Sequence, residues 1–222
     1  TPILVIAKIQ FEKQEKYYWR FNLFHRLEHG VLIVSVLGLV MTGMPLKFSH
    51  TSWAIFLSHF LGGFETAGFI HRVCAFMLVV IFSFHLIFVI RYIIRNYKTF
   101  KIFGPDSLVP RLKDIKDFYG NVRYFLGLGQ KPQFDRWTYW EKFDYMAVFW
   151  GMMIIGGSGL VLWFPELFSN IMPGWFFNVA KIIHSDEALL AAGFIFTVHF
   201  FHTHLRPGKF PMDLVIFTGR VS

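Results

Sequence analysis

The segment "HSDEALLAAGFIFTVHFFHTHLRP" (184–207) runs 18 residues, from Ala188 to Leu205, without a charge, yet carries His184, His199, His202 and His204 in or beside that run. Such a run is close to the ~20 residues that a helix needs to cross about 30 Å of hydrocarbon. Histidine is costly there, so each ring calls for a partner that offsets the cost. Three more uncharged runs of similar length precede it: Gly30–Leu46, Val73–Ile90 and Tyr145–Phe164. The pattern predicts an all-α fold, an integral membrane four-helix bundle with helices over about 26–47, 69–92, 142–164 and 184–205.

Charge supports the membrane reading and sets an expected orientation. Charged side chains make up only 16% of the chain, less than a soluble domain of this length carries. The net charge of +8 is not a nucleic-acid footprint, because eleven Lys and Arg crowd between Arg91 and Lys142 while the other two connections hold almost none. The positive-inside rule then puts the N- and C-termini and the long central loop in the cytoplasm of a bacterial-type inner membrane. Within that loop, "SLVPRLKDIKDFYGNVRYFLGLG" (107–129) reads as an amphipathic surface helix. Residues 1–24 read as a cytoplasmic amphipathic arm rather than a cleavable signal, and 25–222 as one membrane domain. The single cysteine, Cys74, excludes a disulfide framework or a thiolate iron–sulfur site within the chain and reads as a packing residue.

The histidines sort by depth. His71 opens the second predicted helix and His184 the fourth, both on the outer side. His85 and His199 lie deeper on the same two helices, at the inner level where His29 begins the first. His71 and His85 are 14 residues apart, almost four turns and about 21 Å along the axis. His184 and His199 are 15 apart, roughly 22 Å and turned by about 60°. Facing helices thus present imidazoles at two depths, the arrangement needed by two bis-histidine b haems stacked across a bilayer. Ala75 and Ala188, with Gly38, Gly43 and the "GGSG" at 156–159, leave room for a ring or a helix to approach. A proton relay fits less well, since the membrane runs hold no carboxylate, and zinc asks for three or four ligands close together. His25, His50 and His59 read as interfacial polar residues.

These landmarks resemble the four-helix di-haem cytochrome b subunits of respiratory formate dehydrogenases, nickel–iron hydrogenases and thiosulfate reductases, in particular the cytochrome b/b6-domain branch. "RLEHGVLIVSVLGLVMTG" (26–43) is similar to the family's first helix. "IHRVCAFMLVV" (70–80), "YWEKFDYMAVFWGMM" (139–153), "IIHSDEALLAA" (182–192) and "DLVIFTGRVS" (213–222) follow its later landmarks in order. The resemblance implies an outer haem on His71 and His184 and an inner haem on His29 and His199. Two departures stand out. His85 lies at a depth that competes with His29, leaving open which of them faces His199 and whether the leftover histidines hold a third haem. The 15-residue spacing of His184 and His199, one longer than the family's, implies a local bulge or a rotated ligand.

The family also implies a quinone or menaquinone site by the inner haem at the start of the third helix. Here that segment is "DRWTYWEKFDY" (135–145), so the site candidates are Glu141, Lys142, Asp144 and Tyr145, with His202 and His204 nearby for proton uptake or haem-propionate contact. The implied function is electron transfer through two b haems between the quinone pool and an outer-face iron–sulfur or multihaem cytochrome c subunit of a hetero-oligomeric complex. The alternatives are a haem-bearing membrane anchor without its own quinone site and a ferric-reductase-like electron carrier.

Overall fold

The computed structural model describes residues 18–205 and 211–221. Most of the amphipathic arm expected over 1–24 therefore lies outside the described residues. The described chain is helical apart from a two-residue antiparallel ladder, β1 (Tyr18–Trp19) with β2 (Arg220–Val221), in which Tyr18 pairs with Val221. Between them run α1 (Leu23–Lys47), α2 (Ser52–Phe60), α3 (Phe64–Arg95), α4 (Leu112–Phe125), α5 (Tyr139–Trp163), α6 (Pro165–Ser169), α7 (Gly174–Phe194) and α8 (Val215–Thr218). Two stretches are π-helical: Met152–Gly156 inside α5, and Ile195–His204, which continues α7 without a break.

Three helices, α1, α3 and α5, are long and apolar enough to cross a membrane. The fourth expected span lies in α7 and its π-helical continuation, where Lys181, Asp186 and Glu187 interrupt the apolar run of the α-helical part. Helix ends follow local chemistry. The Asn22 side chain accepts from the His25 N–H at 2.9 Å to start α1, and Thr138 with Glu141 forms a capping box on α5. The second and fourth helices begin earlier than expected, α3 after Gly63 (φ 98°) and α7 after Pro173. His71 and His184 therefore sit well inside their helices rather than at the first turn.

Burial runs opposite to that of a water-soluble domain. The largest fully buried side chains are Lys142, Thr42, Pro45, Ser35 and Ser58, while Phe56, Phe60, Phe76 and many other large apolar groups are exposed. Small residues line the contacts instead, as when helices pack in lipid. Gly38 on α1 faces Cys74 on α3, and a Cβ there would collide with the thiol sulfur. The closest helix pairings are α1 with α3 and α5 with α7, and α1 also touches α7.

Helix α4 has the same inverted character. Leu112, Ile115, Tyr119 and Phe125 point outward, whereas Asp114, Asp117 and Asn121 are buried. The buried face docks on the start of α5: Lys142 Nζ lies 2.8 and 2.9 Å from the two Asp114 carboxylate oxygens, and Asn121 donates to the Tyr139 hydroxyl at 2.9 Å. Asp114 also accepts from the Arg111 N–H at 2.6 Å, closing the first turn of α4. Lys113 bonds Asp117 at 2.8 Å, and that bond, with Asp135 nearby, holds its ammonium above the usual lysine range. Lys142 is thus occupied as a structural clamp.

Removing one partner of a buried pair strands the other charge. Lys142→Met is expected to destabilise the fold by about 3–5 kcal/mol. Lys142→Met combined with Asp114→Leu should cost much less, chiefly the lost helix cap of about 1 kcal/mol. Thermal unfolding in detergent checks the order, and a double variant no more stable than Lys142→Met contradicts it.

Candidate functional site

Two groups of imidazoles lie at different depths between α1, α3, α5 and α7. In the outer one, the ring centres of His71 (α3) and His184 (α7) are 6.2 Å apart with planes at 69°. Each ring is held through Nδ1 by a neighbouring helix. The Thr42 hydroxyl donates to the Gly38 carbonyl at 2.6 Å, so its oxygen is left to accept from His71 Nδ1 at 2.9 Å. His184 Nδ1 donates to the Ile155 carbonyl at 2.9 Å, with Ser158 Oγ at 3.4 Å. A protonated Nδ1 leaves Nε2 as a neutral lone-pair donor, the form that binds a metal.

The same rings explain two glycines. A Cβ on Gly43 would stand 3.1 Å from His71 Cε1, and one on Gly159 would stand 2.9 Å from His184 Cε1. Each ring therefore lies over a glycine of the neighbouring helix, and Gly159 follows the π turn that supplies Ile155. The "GGSG" stretch serves ring placement as well as helix packing.

The inner group contains His29, His199 and His204. The ring centres of His29 (α1) and His199 are 6.5 Å apart with planes at 31°. His199 Nδ1 lies 3.2 Å from Asp144 Oδ2 on α5, a carboxylate that orients the ring and strengthens its other nitrogen as a donor. The structure brings His29, not His85, opposite His199. His204 joins the pair, and donor atoms of all three rings lie within 4.8 Å of one another.

His85 belongs to a different constellation. Its Nε2 is 3.1 Å from the Tyr145 hydroxyl and its Nδ1 3.5 Å from the Glu28 carboxylate, which His25 Nδ1 also approaches, at 3.0 Å. Glu28 is 6% exposed, a buried carboxylate that the sequence reading passed over. Its signal was present: it stands two residues before the uncharged run of the first helix, one position from His29. Tyr145, His85, Glu28 and His25 thus form a contiguous polar path that includes a buried carboxylate near the inner level.

The remaining quinone-site candidates separate by contact. Glu141 caps α5 and pairs with Arg20, Lys142 pairs with Asp114, and Asp144 holds His199. His202 stacks on Trp140, centres 4.5 Å apart and planes at 17°. Of the polar residues in 141–145, Tyr145 is the one whose hydroxyl meets the His85–Glu28 path. No protein-family model matches the chain, and no curated protein matches it.

Thr42→Val keeps the shape of the buried side chain while depriving His71 Nδ1 of its partner. It is expected to lower unfolding stability by about 1–3 kcal/mol, the cost of stranding a buried polar group. Denaturant titration in detergent reads this, and a change within about 0.5 kcal/mol contradicts the assigned bond.

Proposed function

We propose that the chain is a membrane cytochrome b that holds two b haems, an outer one between His71 and His184 and an inner one between His29 and His199. It passes electrons between a quinone or menaquinone at the inner level and a redox partner at the outer face. The observation that carries this reading is the spacing of the two ring pairs. An imidazole nitrogen bonds a first-row metal at about 2 Å, so two rings on opposite sides of one ion lie roughly 6 Å apart centre to centre. The outer pair at 6.2 Å and the inner pair at 6.5 Å both meet that requirement. Haem iron held by two neutral imidazoles supplies one-electron transfer without a change of ligands.

The chain's residues do the rest. Thr42, the Ile155 carbonyl and Asp144 fix the rings from behind and keep a free nitrogen turned inward. Asp144 adds a negative partner that the outer pair lacks, so His199 is the stronger donor and the inner centre the harder to reduce. Tyr145 and His85 offer hydrogen bonds to a quinone oxygen, and Glu28 and His25 carry its protons toward the helix start. The glycines under His71 and His184 hold both outer rings close to the neighbouring backbone.

A four-span topology is favoured by the ladder between Tyr18–Trp19 and Arg220–Val221. Paired ends lie on one side, so the chain between them crosses an even number of times; α1, α3 and α5 need α7 with its π continuation as the fourth crossing. The basic central loop makes that side cytoplasmic. The outward apolar face of α4 then lies in the cytoplasmic membrane surface. The outer partner, an iron–sulfur or multihaem cytochrome c subunit, docks over α2 and the connection around α6.

Rapid reduction of the purified protein by a menaquinol analogue is expected, and Tyr145→Phe should slow it on the order of 10–100-fold. An unchanged rate removes Tyr145 from the site, and failure of quinol to reduce the wild type leaves the anchor or carrier alternatives. Separately, Asp144→Asn should raise the midpoint potential of one haem and leave the other in place, read by potentiometric titration.

A further inference from the structure

The C-terminal turn of the described chain comes back to the start of α1. Arg220 pairs with Trp19 in the ladder, and the Gly219 carbonyl accepts from the Arg20 and Phe21 N–H groups at 2.8 and 3.3 Å. Gly219 can approach this closely because it has φ 75° and no side chain. A Cβ there would collide with the Phe21 carbonyl and stand 3.2 Å from the Trp19 ring and 3.4 Å from Arg26 Cδ. The turn thereby brings Arg220 and Arg26 to one open cleft of about 420 Å³, lined by Trp19, Arg26, Thr218 and Arg220.

Both cations in the cleft lack a counter-charge. Among the described residues, no ion pair or hydrogen bond reaches the Arg26 guanidinium, and its Nε is buried without an acceptor. The Arg220 guanidinium lies over the Trp19 ring, 4.5 Å from its centre, and meets no described carboxylate. The acids that contact neighbouring residues are engaged elsewhere, Glu28 with His25 at 3.0 Å and Glu141 with Arg20. Two like charges sharing a cleft repel, and a buried guanidinium nitrogen without an acceptor adds a desolvation cost. An anion in the cleft would offset both.

We propose that this cleft binds a phosphate group. A guanidinium presents parallel N–H donors that match two phosphate oxygens, so Arg26 and Arg220 together can grip one phosphate. Stacking on Trp19 holds the plane of Arg220 while leaving its N–H edge for the anion. The peptide dipoles at the start of α1, where Arg26 stands, favour negative charge at the same place. Two sources carry this chemistry, the headgroup phosphate of an anionic phospholipid and free phosphate. The start of a membrane-crossing helix beside an exposed Trp lies at headgroup level, where the lipid would be met. None of the four lining residues is a proposed haem ligand, so the site does not depend on the haems.

The test titrates the full chain in nonionic detergent with phosphatidylglycerol, with phosphatidylcholine of the same acyl chains, and with inorganic phosphate. Native mass spectrometry counts bound lipid, and the rise in Tm reads phosphate. Wild-type protein is expected to bind phosphatidylglycerol or phosphate in clear preference to phosphatidylcholine. Arg26→Gln and Arg220→Gln should each weaken that binding about 10-fold or more, the loss of a charge-assisted hydrogen bond. Arg220→Lys keeps the charge without the fork and should recover only part of it. Lys181→Gln, on α7 three residues before His184, should bind as wild type does. The Arg220 side chain is exposed, so Arg220→Gln stays readable even if Arg26→Gln fails to fold. Phosphatidylglycerol that inorganic phosphate does not displace assigns the cleft to a lipid headgroup, and phosphate binding without phosphatidylglycerol binding assigns it to the free ion. The proposal is overturned if wild-type protein binds neither better than phosphatidylcholine. Folded Arg220→Gln protein that binds as tightly as wild type overturns it equally.

Discussion

The arrangement depends on one constraint: an imidazole inside an apolar bundle has to be held from behind before it can present a nitrogen in front. At the outer level the holding groups are the Thr42 hydroxyl and the Ile155 carbonyl; at the inner level, the Asp144 carboxylate. Each comes from a helix other than the one carrying the ring, so every such bond also fixes the position of two helices. Glycine at 43 and 159 lets those helices come close enough for the bond to form. Ring orientation and helix packing are therefore one problem with one solution, and small side chains dominate the interior because larger ones would push the rings off their acceptors.

The two π-helical segments serve that constraint. The one within α5 contains Ile155, whose carbonyl receives His184. The one that continues α7 carries His199 and His204 and brings both toward His29. Irregular winding concentrates where histidines meet, which is where such bulges tend to occur in functional helices. The polar clamp between α4 and α5 plays a supporting part. By tying Lys142 to Asp114 it fixes the first turns of α5, from which Asp144 and Tyr145 reach the inner level.

Much of this was readable from residue order, and the exceptions have physical causes. The apolar runs marked α1, α3 and α5, whereas His71 and His184, expected to open their helices, sit well inside them because α3 and α7 start earlier, at Phe64 and Gly174. The grouping of His204 with His29 and His199 depends on the winding of the helix, and nothing in "TVHFFHTH" distinguishes a π turn from an α turn, although the 15-residue spacing between His184 and His199 hinted at a bulge. Lys142 looked like a quinone-site candidate because its partner Asp114 lies 28 residues earlier on another helix, a contact that local pattern does not reveal. Glu28 stands just outside the uncharged run that begins at Gly30, so neither run length nor histidine spacing marks it. The pairing of Tyr18–Trp19 with Arg220–Val221 joins the two ends of the described chain and leaves no trace in either segment.

Each pair of facing histidines is proposed to hold one haem. Pyridine haemochrome quantification of the purified wild-type protein beside His71→Ala tests it most directly. The expected result is two b haems per chain in the wild type and one in His71→Ala, with the remaining haem still low-spin. Haem-free wild-type protein, or a His71→Ala variant that keeps both haems, would contradict it.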